Sequence, residues 1–231
     1  MPFTQGTLLI VSTPIGNDAD LTDRARQSLQ ACDIVIAEEA KPARRLLSKL
    51  GITKELLLLN EHTTHEATAE ALDHLNDGKT LALISDAGTP LLADPGSLLV
   101  RKAIEHGHKI IAVPGASSIL AALVVSGLSL ERFTFVGFLS RDADKRRREL
   151  GEYKMRRETL VFLEAPYRLN RILEDLAKGL GKNREAVVCQ DLTMPSEKCR
   201  RDTLAGLVEH YTASPFKGEF VIVVEGAGKR H

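Results

Sequence analysis

Short, fully apolar runs alternate with longer amphipathic stretches along most of this chain. Residues 8–11, 34–37, 56–59, 81–84 and 110–113 lack the every-other-residue polarity of a half-exposed strand, and turn residues bound each run. Such runs are expected of strands buried on both faces. Between them lie helical patterns, such as residues 66–75, where Ala67, Ala71, Leu72 and Leu75 share one face. Strand and helix in alternation predict a parallel sheet covered by helices. After Pro114 the style changes. Strands are predicted at residues 133–136, 159–163, 186–189, 200–203 and 220–224, and the shorter final connections predict a mixed sheet. A Pro114-Gly115 turn opens a small-residue helix at residues 118–126. The expected fold class is therefore α/β, with an N-terminal domain over residues 1–114 and a C-terminal domain over 115–231. Each domain is expected to hold a five-stranded sheet, the first mainly parallel and the second mixed.

Composition narrows the function classes. With 231 residues, 43% of them apolar, the chain can fill two cores. Lys plus Arg equals Asp plus Glu at 31 each, so nucleic-acid or membrane binding must rest on a local patch. Cys32, Cys189 and Cys199 are far apart and contain no Cys-x-x-Cys pair, which predicts neither a disulfide framework nor a zinc knuckle. Residues 1–6 carry no basic segment, and the apolar run at 8–11 is too short for a signal or a span. A cytoplasmic protein is expected.

In open α/β sheets, ligands bind where loops leave the carboxyl ends of the strands. Three such loops are rich in special residues: Ser12 to Asn17 followed by Asp20-Leu21-Thr22, Ser85 to Gly96, and Pro114 to Ser118. In the middle loop Gly88 and Gly96 permit unusual backbone angles, and Pro90 and Pro95 stiffen the path. Asp86, at a strand end, can face an amine, a sulfonium or a ribose hydroxyl. Backbone amides around Gly88 and Thr89 can hold a carboxylate. Those groups suit a small zwitterion attached to a nucleoside. The plainer alternative is a set of turns, with Asp94 as a helix N-cap. No Gly-x-Gly-x-x-Gly, Walker A or Gly-x-Ser-x-Gly string occurs. The histidine pairs His62/His65 and His106/His108 lack a supporting ligand set, so no metal site is expected.

Several strings occur in order: Thr13-Pro14-Ile15-Gly16-Asn17, Ala37-Glu38-Glu39, Ser85-Asp86-Ala87-Gly88-Thr89-Pro90, Asp94-Pro95-Gly96, Pro114-Gly115-Ala116-Ser117 and Gly137-Phe138-Leu139. Glu164-Ala165-Pro166-Tyr167-Arg168-Leu169, Asp191-Leu192-Thr193 and Lys217-Gly218-Glu219-Phe220-Val221 follow. The series resembles the tetrapyrrole methylase superfamily, in its branch that methylates a cytidine ribose 2′-hydroxyl of small-subunit ribosomal RNA. The resemblance spans residues 7–226. It implies a homodimer that holds S-adenosylmethionine in a cleft between the two domains. It further implies donor contacts at Pro14, Ile15, Asp86, Ala87, Gly88 and Thr89, with Ser117 and Ser118 near the methionyl part. Leu163 and Leu192 are implied near the adenine, where ordinary core packing is the alternative.

The chain also departs from that branch. Its usual acidic-Asp-Thr-Arg string is here Glu38-Glu39-Ala40-Lys41, which loses a bidentate fork and a hydroxyl. Gln190-Asp191-Leu192-Thr193-Met194 replaces Arg-Glu-Leu-Thr-Lys, and the C-terminal extension common in the branch does not follow. The donor loops are intact, whereas the acceptor-facing residues are altered. Two alternatives therefore stay open: a tetrapyrrole C-methyltransferase, and a non-catalytic S-adenosylmethionine-binding ribosome-assembly factor.

Residues 141–157 hold eight bases against four acids. Arg146, Arg147 and Arg148 are thus candidates for gripping RNA phosphates, with a solvated helix face as the alternative. Aromatic residues are only 4%, which argues against an extensive base-stacking surface and favours a backbone grip. Methyl transfer needs an aligned oxygen and a group to take its proton. Glu39, Glu61 and His62 are candidate bases, with helix capping as the alternative for Glu61 and His62.

Overall fold

The five apolar runs of the first half become strands β1 (Thr7–Val11), β2 (Ile34–Ala37), β3 (Glu55–Leu58), β4 (Thr80–Ile84) and β5 (Lys109–Val113). They lie side by side in the order β3-β2-β4-β1-β5, and every pairing is parallel. The computed structural model describes residues 5–228, and the chain divides between Ser117 and Ser118 into two units. In the first unit α1 (Asp23–Ala31), α2 (Ala40–Lys49), α3 (Thr64–Asn76) and α4 (Ser97–Glu105) cover the sheet. Side chains alternate between faces along a strand. Leu9, Val11, Val35 and Ile84 therefore cluster with Ala25 and Leu29 of α1 and Ala43 and Leu47 of α2. Leu8, Ile34, Ile36 and Leu81 cluster with Ala71 of α3 and Leu99 of α4 on the other face. The neighbouring strands β1 and β4 thus send their chains to opposite faces. That divergence opens a crevice at their carboxyl ends.

Local chemistry sets the helix starts. Thr22 accepts from the Ala25 N–H and caps α1. Asp94 does not cap α4; Gly96 stands at that position with φ 117°. A Cβ there would lie 3.0 Å from Leu83 and 3.1 Å from Leu91, so both angle and space call for glycine. Glu61 and His62 do not cap α3 either. The Asn60 side chain organises that turn, its Oδ1 accepting from the N–H groups of His62 and Thr63.

The second unit opens with α5 (Ser118–Ser126) and contains β6 (Phe133–Phe138), α6 (Ala143–Tyr153), β7 (Thr159–Leu163), α7 (Leu169–Leu180), β8 (Glu185–Gln190), β9 (Lys198–Thr203), α8 (Leu204–Ala213) and β10 (Phe220–Val224). The strand order is β6-β7-β10-β8-β9, with β6 and β7 parallel and the other neighbours antiparallel. This is the mixed sheet expected. β9 begins two residues before the predicted segment, because an edge strand is held by its ladder to β8 and tolerates Lys198. Leu160, Phe162, Val188 and Ile222 pack with α7 and α8 in one core.

Arg146 departs from its expected role. It is 2% exposed, its Nε donating to Asp175 at 2.7 Å and its Nη1 to the carbonyls of Ser140 (2.7 Å) and Arg141 (3.0 Å). It ties α6 to α7 and cannot meet RNA phosphates. Arg147 and Arg148 remain exposed, Arg147 pairing with Asp144 at 3.4 Å. Among the described residues, no helix is long and apolar enough to cross a membrane.

Candidate active site at the carboxyl ends of β1 and β4

Three strand-end loops of the first unit are laced together. The Thr13 N–H donates to the Gly88 carbonyl at 2.9 Å, and the Gly88 N–H donates back to the Thr13 carbonyl at 3.2 Å. Thr13 Oγ1 donates to the Ser85 carbonyl at 3.0 Å. Thr89 Oγ1 lies 3.1 Å from Ser12 Oγ and donates to the Ala116 carbonyl at 3.1 Å, which brings in the loop after β5. Gly88, at φ +90°, lets Ile15 close over it, since a Cβ there would lie 3.1 Å from Ile15 Cγ2. The lacing also corrects an expectation. The Gly88 amide, expected to help hold a ligand carboxylate, is taken by the Thr13 carbonyl; the neighbouring Ala87 amide is likewise taken, by Ser85 Oγ.

Pro14, Ile15, Asp86 and Ala87 line a cavity of about 350 Å³, together with Thr13, Gly16 and the face of α2. Backbone strain marks the same loop. Leu91 (φ 74°) and Ala93 (φ 71°) occupy the left-handed region, and the other two non-glycine cases among the described residues, Asp191 (φ 48°) and Thr193 (φ 68°), follow β8. Each such residue costs on the order of 1–3 kcal/mol and persists only where surrounding structure enforces it, a situation frequent at functional sites.

Charge is concentrated at this sheet end. The order β3-β2-β4 sets the loop bearing Glu38 and Glu39 between those bearing Glu61 and Asp86. Burial raises the Asp86 carboxyl above its ordinary 3.8; the charges of Glu39 and Asp94 add to this, while the Glu39 backbone N–H bond opposes it. Burial likewise raises Glu38 above 4.5, reinforced by Asp86, Asp94, Glu39 and Glu61. Asp94 is raised by burial against a bond from Ser85. Like charges crowded in a partly dry site favour protonation or a cationic guest. Glu38 and Asp94 belong to this cluster, although the sequence suggested only a motif position and a cap for them.

The remaining expected residues sit as follows. Glu39 precedes α2 and is exposed, and Glu61 and His62 are exposed in the turn after β3. Ser117 ends the first unit and Ser118 begins α5 in the second; both are half-buried. Within the second unit, Leu163 ends β7 and Leu192 follows β8. β10 pairs with both strands, so these two leucines lie at one end of the sheet, Leu163 half-buried and Leu192 buried.

Comparison with known proteins agrees with this geometry. The family described as Tetrapyrrole (Corrin/Porphyrin) Methylases matches residues 7–208. A protein of Halalkalibacterium halodurans named ribosomal RNA small subunit methyltransferase I is 41% identical over 226 residues, covering 98% of this chain and 78% of its own. Its namesake from Xylella fastidiosa is 44% identical, covering 97% of this chain and 83% of its own. A solved structure of uroporphyrin-III C-methyltransferase from Thermus thermophilus, complexed with S-adenosylhomocysteine, superposes with a TM-score of 0.66. It is 19% identical over 95% of this chain and 97% of its own, a likeness of fold alone. Sequence kinship runs along nearly the full chain, and the chain belongs to the tetrapyrrole (corrin/porphyrin) methylase family.

Proposed function

We propose that this protein transfers a methyl group from S-adenosylmethionine to a cytidine ribose 2′-hydroxyl of small-subunit ribosomal RNA. Kinship over 98% of the chain with a relative named for that RNA carries the reading. The donor supplies an electrophilic methyl on a sulfonium. The rim formed by Pro14, Ile15, Asp86, Ala87, Gly88 and Thr89 suits it on two grounds. The carboxylates Glu38, Asp86 and Asp94 are raised by burial and mutual repulsion, so the donor's positive charges relieve them. The missing Cβ of Gly88 lets Ile15 form a close apolar wall. Ser117, Ser118, Leu163 and Leu192 are carried into the proposal from the family's pattern.

Transfer is an in-line displacement in which the methyl–sulfur bond breaks as the methyl–oxygen bond forms. The hydroxyl proton leaves to a base. We assign that base to the carboxylate group at the ends of β2 to β4, with Glu39 and Glu61 as members and His62 beside them. Glu38 and Asp86 of the same group, raised by burial, accept a proton better than ordinary carboxylates. Arg147 and Arg148 contribute charge to the RNA grip. The proposal includes a cytoplasmic homodimer, supported by Leu120 and Val124, which expose apolar surface one turn apart on α5. Incubation with methyl-labelled S-adenosylmethionine and small-subunit particles tests the function. Label on one ribose 2′-oxygen is expected; RNA that stays unlabelled overturns it.

A further inference from the structure

The cavity beside Asp86 has a second wall that methyl-donor binding does not use. Lys41, Arg45 and Lys49 line it from α2. They recur every four residues, so they share one helix face and span about 12 Å at 1.5 Å rise per residue. The opposite wall is the chain from Thr13 to Asp18, and Pro42 and Leu46 lie between the bases. Asp86 and Ala87 line the same cavity, and the Glu39 N–H at the start of α2 bonds Asp86. The groove therefore runs from Asp86 at the helix start towards Lys49 at its end.

The charges of α2 are not explained by helix stability. Its ten residues include four bases and no acid, and its first turn holds Lys41 without an acidic residue. A cation in that turn opposes the helix dipole. Among the described residues, Lys41 and Arg45 have no ion-pair partner, whereas Lys49 is paired with Asp18 on the facing loop. Both Lys41 and Arg45 are exposed. Unlike a solvated helix face, this row borders a concave space with an apolar floor. Successive bases one helical step apart, about 6 Å, match the spacing of successive phosphates in a nucleic-acid strand.

We propose that Lys41, Arg45 and Lys49 form a phosphate ladder gripping the RNA backbone, which leads the acceptor ribose to the Asp86 end. This rests on the RNA reading above and locates its grip on α2. Asp18 is a carboxylate that competes with phosphate for Lys49, so its removal strengthens the grip. Both signs are therefore testable in one groove.

Fluorescence anisotropy with labelled, transcribed small-subunit ribosomal RNA, titrated at several salt concentrations, provides the test. Lys41→Ala/Arg45→Ala is expected to weaken binding at least about tenfold and to flatten the log–log salt slope by roughly 0.7 per lost contact. Asp18→Asn is expected to tighten binding several-fold and steepen that slope. Calorimetric affinity for S-adenosylmethionine is expected to stay constant in both, which also verifies the fold. A folded double variant with wild-type RNA affinity overturns the ladder while the methyl-transfer reading stands. A loss of affinity without a change in salt slope overturns it equally, because no phosphate contact was removed. Wild-type protein that neither binds nor methylates the RNA overturns the functional reading and the ladder with it.

Discussion

Replacing Arg146 with Met keeps most of the side-chain stem but deletes a charge that is nearly fully buried. The wild-type guanidinium makes three bonds of 2.7–3.0 Å, one to Asp175 and two to main-chain carbonyls. Breaking a buried ion pair by removing one partner typically costs about 3–5 kcal/mol. The Asp175 side chain is 25% exposed, so water recovers part of its solvation and the lower end, about 3 kcal/mol, is expected here. At roughly 2–4 °C per kcal/mol for a chain of this length, Tm falls by about 6–12 °C. Arg147→Ala provides the contrast. Its pair with Asp144 leaves both side chains about four-fifths exposed, and its effect on stability stays within about 0.5 kcal/mol. Thermal melts followed by circular dichroism read both variants. The Asp175→Leu/Arg146→Met pair is expected to regain part of the loss, since no orphaned carboxylate remains. An Arg146→Met protein within about 1 kcal/mol of wild type refutes the reasoning. So does one that melts normally but loses RNA affinity, since Arg146 would then contact RNA after all.

Asp86→Asn should weaken S-adenosylmethionine binding by about 1–3 kcal/mol in calorimetry, if the carboxylate bonds the donor; unchanged affinity removes Asp86 from the site. Glu38 has its folded-state pKa raised, so its ionisation destabilises the folded protein above that pKa and has no effect below the ordinary 4.5. Glu38→Gln is therefore expected to raise the apo-protein Tm at neutral pH, with the gain fading as pH falls through the raised value. A gain that persists or grows in acid contradicts the assignment. Gly88→Ala sets a β-carbon at φ +90° and 3.1 Å from Ile15, and should cost about 1–3 kcal/mol while displacing the donor wall. Normal stability together with normal donor affinity shows the loop to be slack. Val124→Glu on α5 should convert a dimer to monomer in light scattering; a wild-type monomer excludes the homodimer.

Most strands were legible because they are short apolar runs with few polar interruptions, and in the central ones, such as β2 and β10, burial on both faces leaves no other use for such a run. The strands at Ile34–Ala37, Thr159–Leu163 and Phe220–Val224 coincide with the predicted segments residue for residue, whereas polar β9 was shortened because its ladder is invisible to hydropathy. The laced strand-end loops were legible from their glycines and prolines, whose backbone restrictions are local. Three matters depended on the tertiary structure. Whether Arg146 was a surface base or a buried clamp turned on Asp175, twenty-nine residues away on α7. The amide of Gly88 looked available until folding set the Thr13 carbonyl against it. The carboxylates of Glu38, Asp86 and Asp94 act as one cluster only because the sheet order brings β2 beside β4, out of chain order. Residue types and local backbone preferences are written along the chain. Which charges share a partly dry space is fixed by strand order, because electrostatic coupling depends on distance and burial, not on separation in sequence.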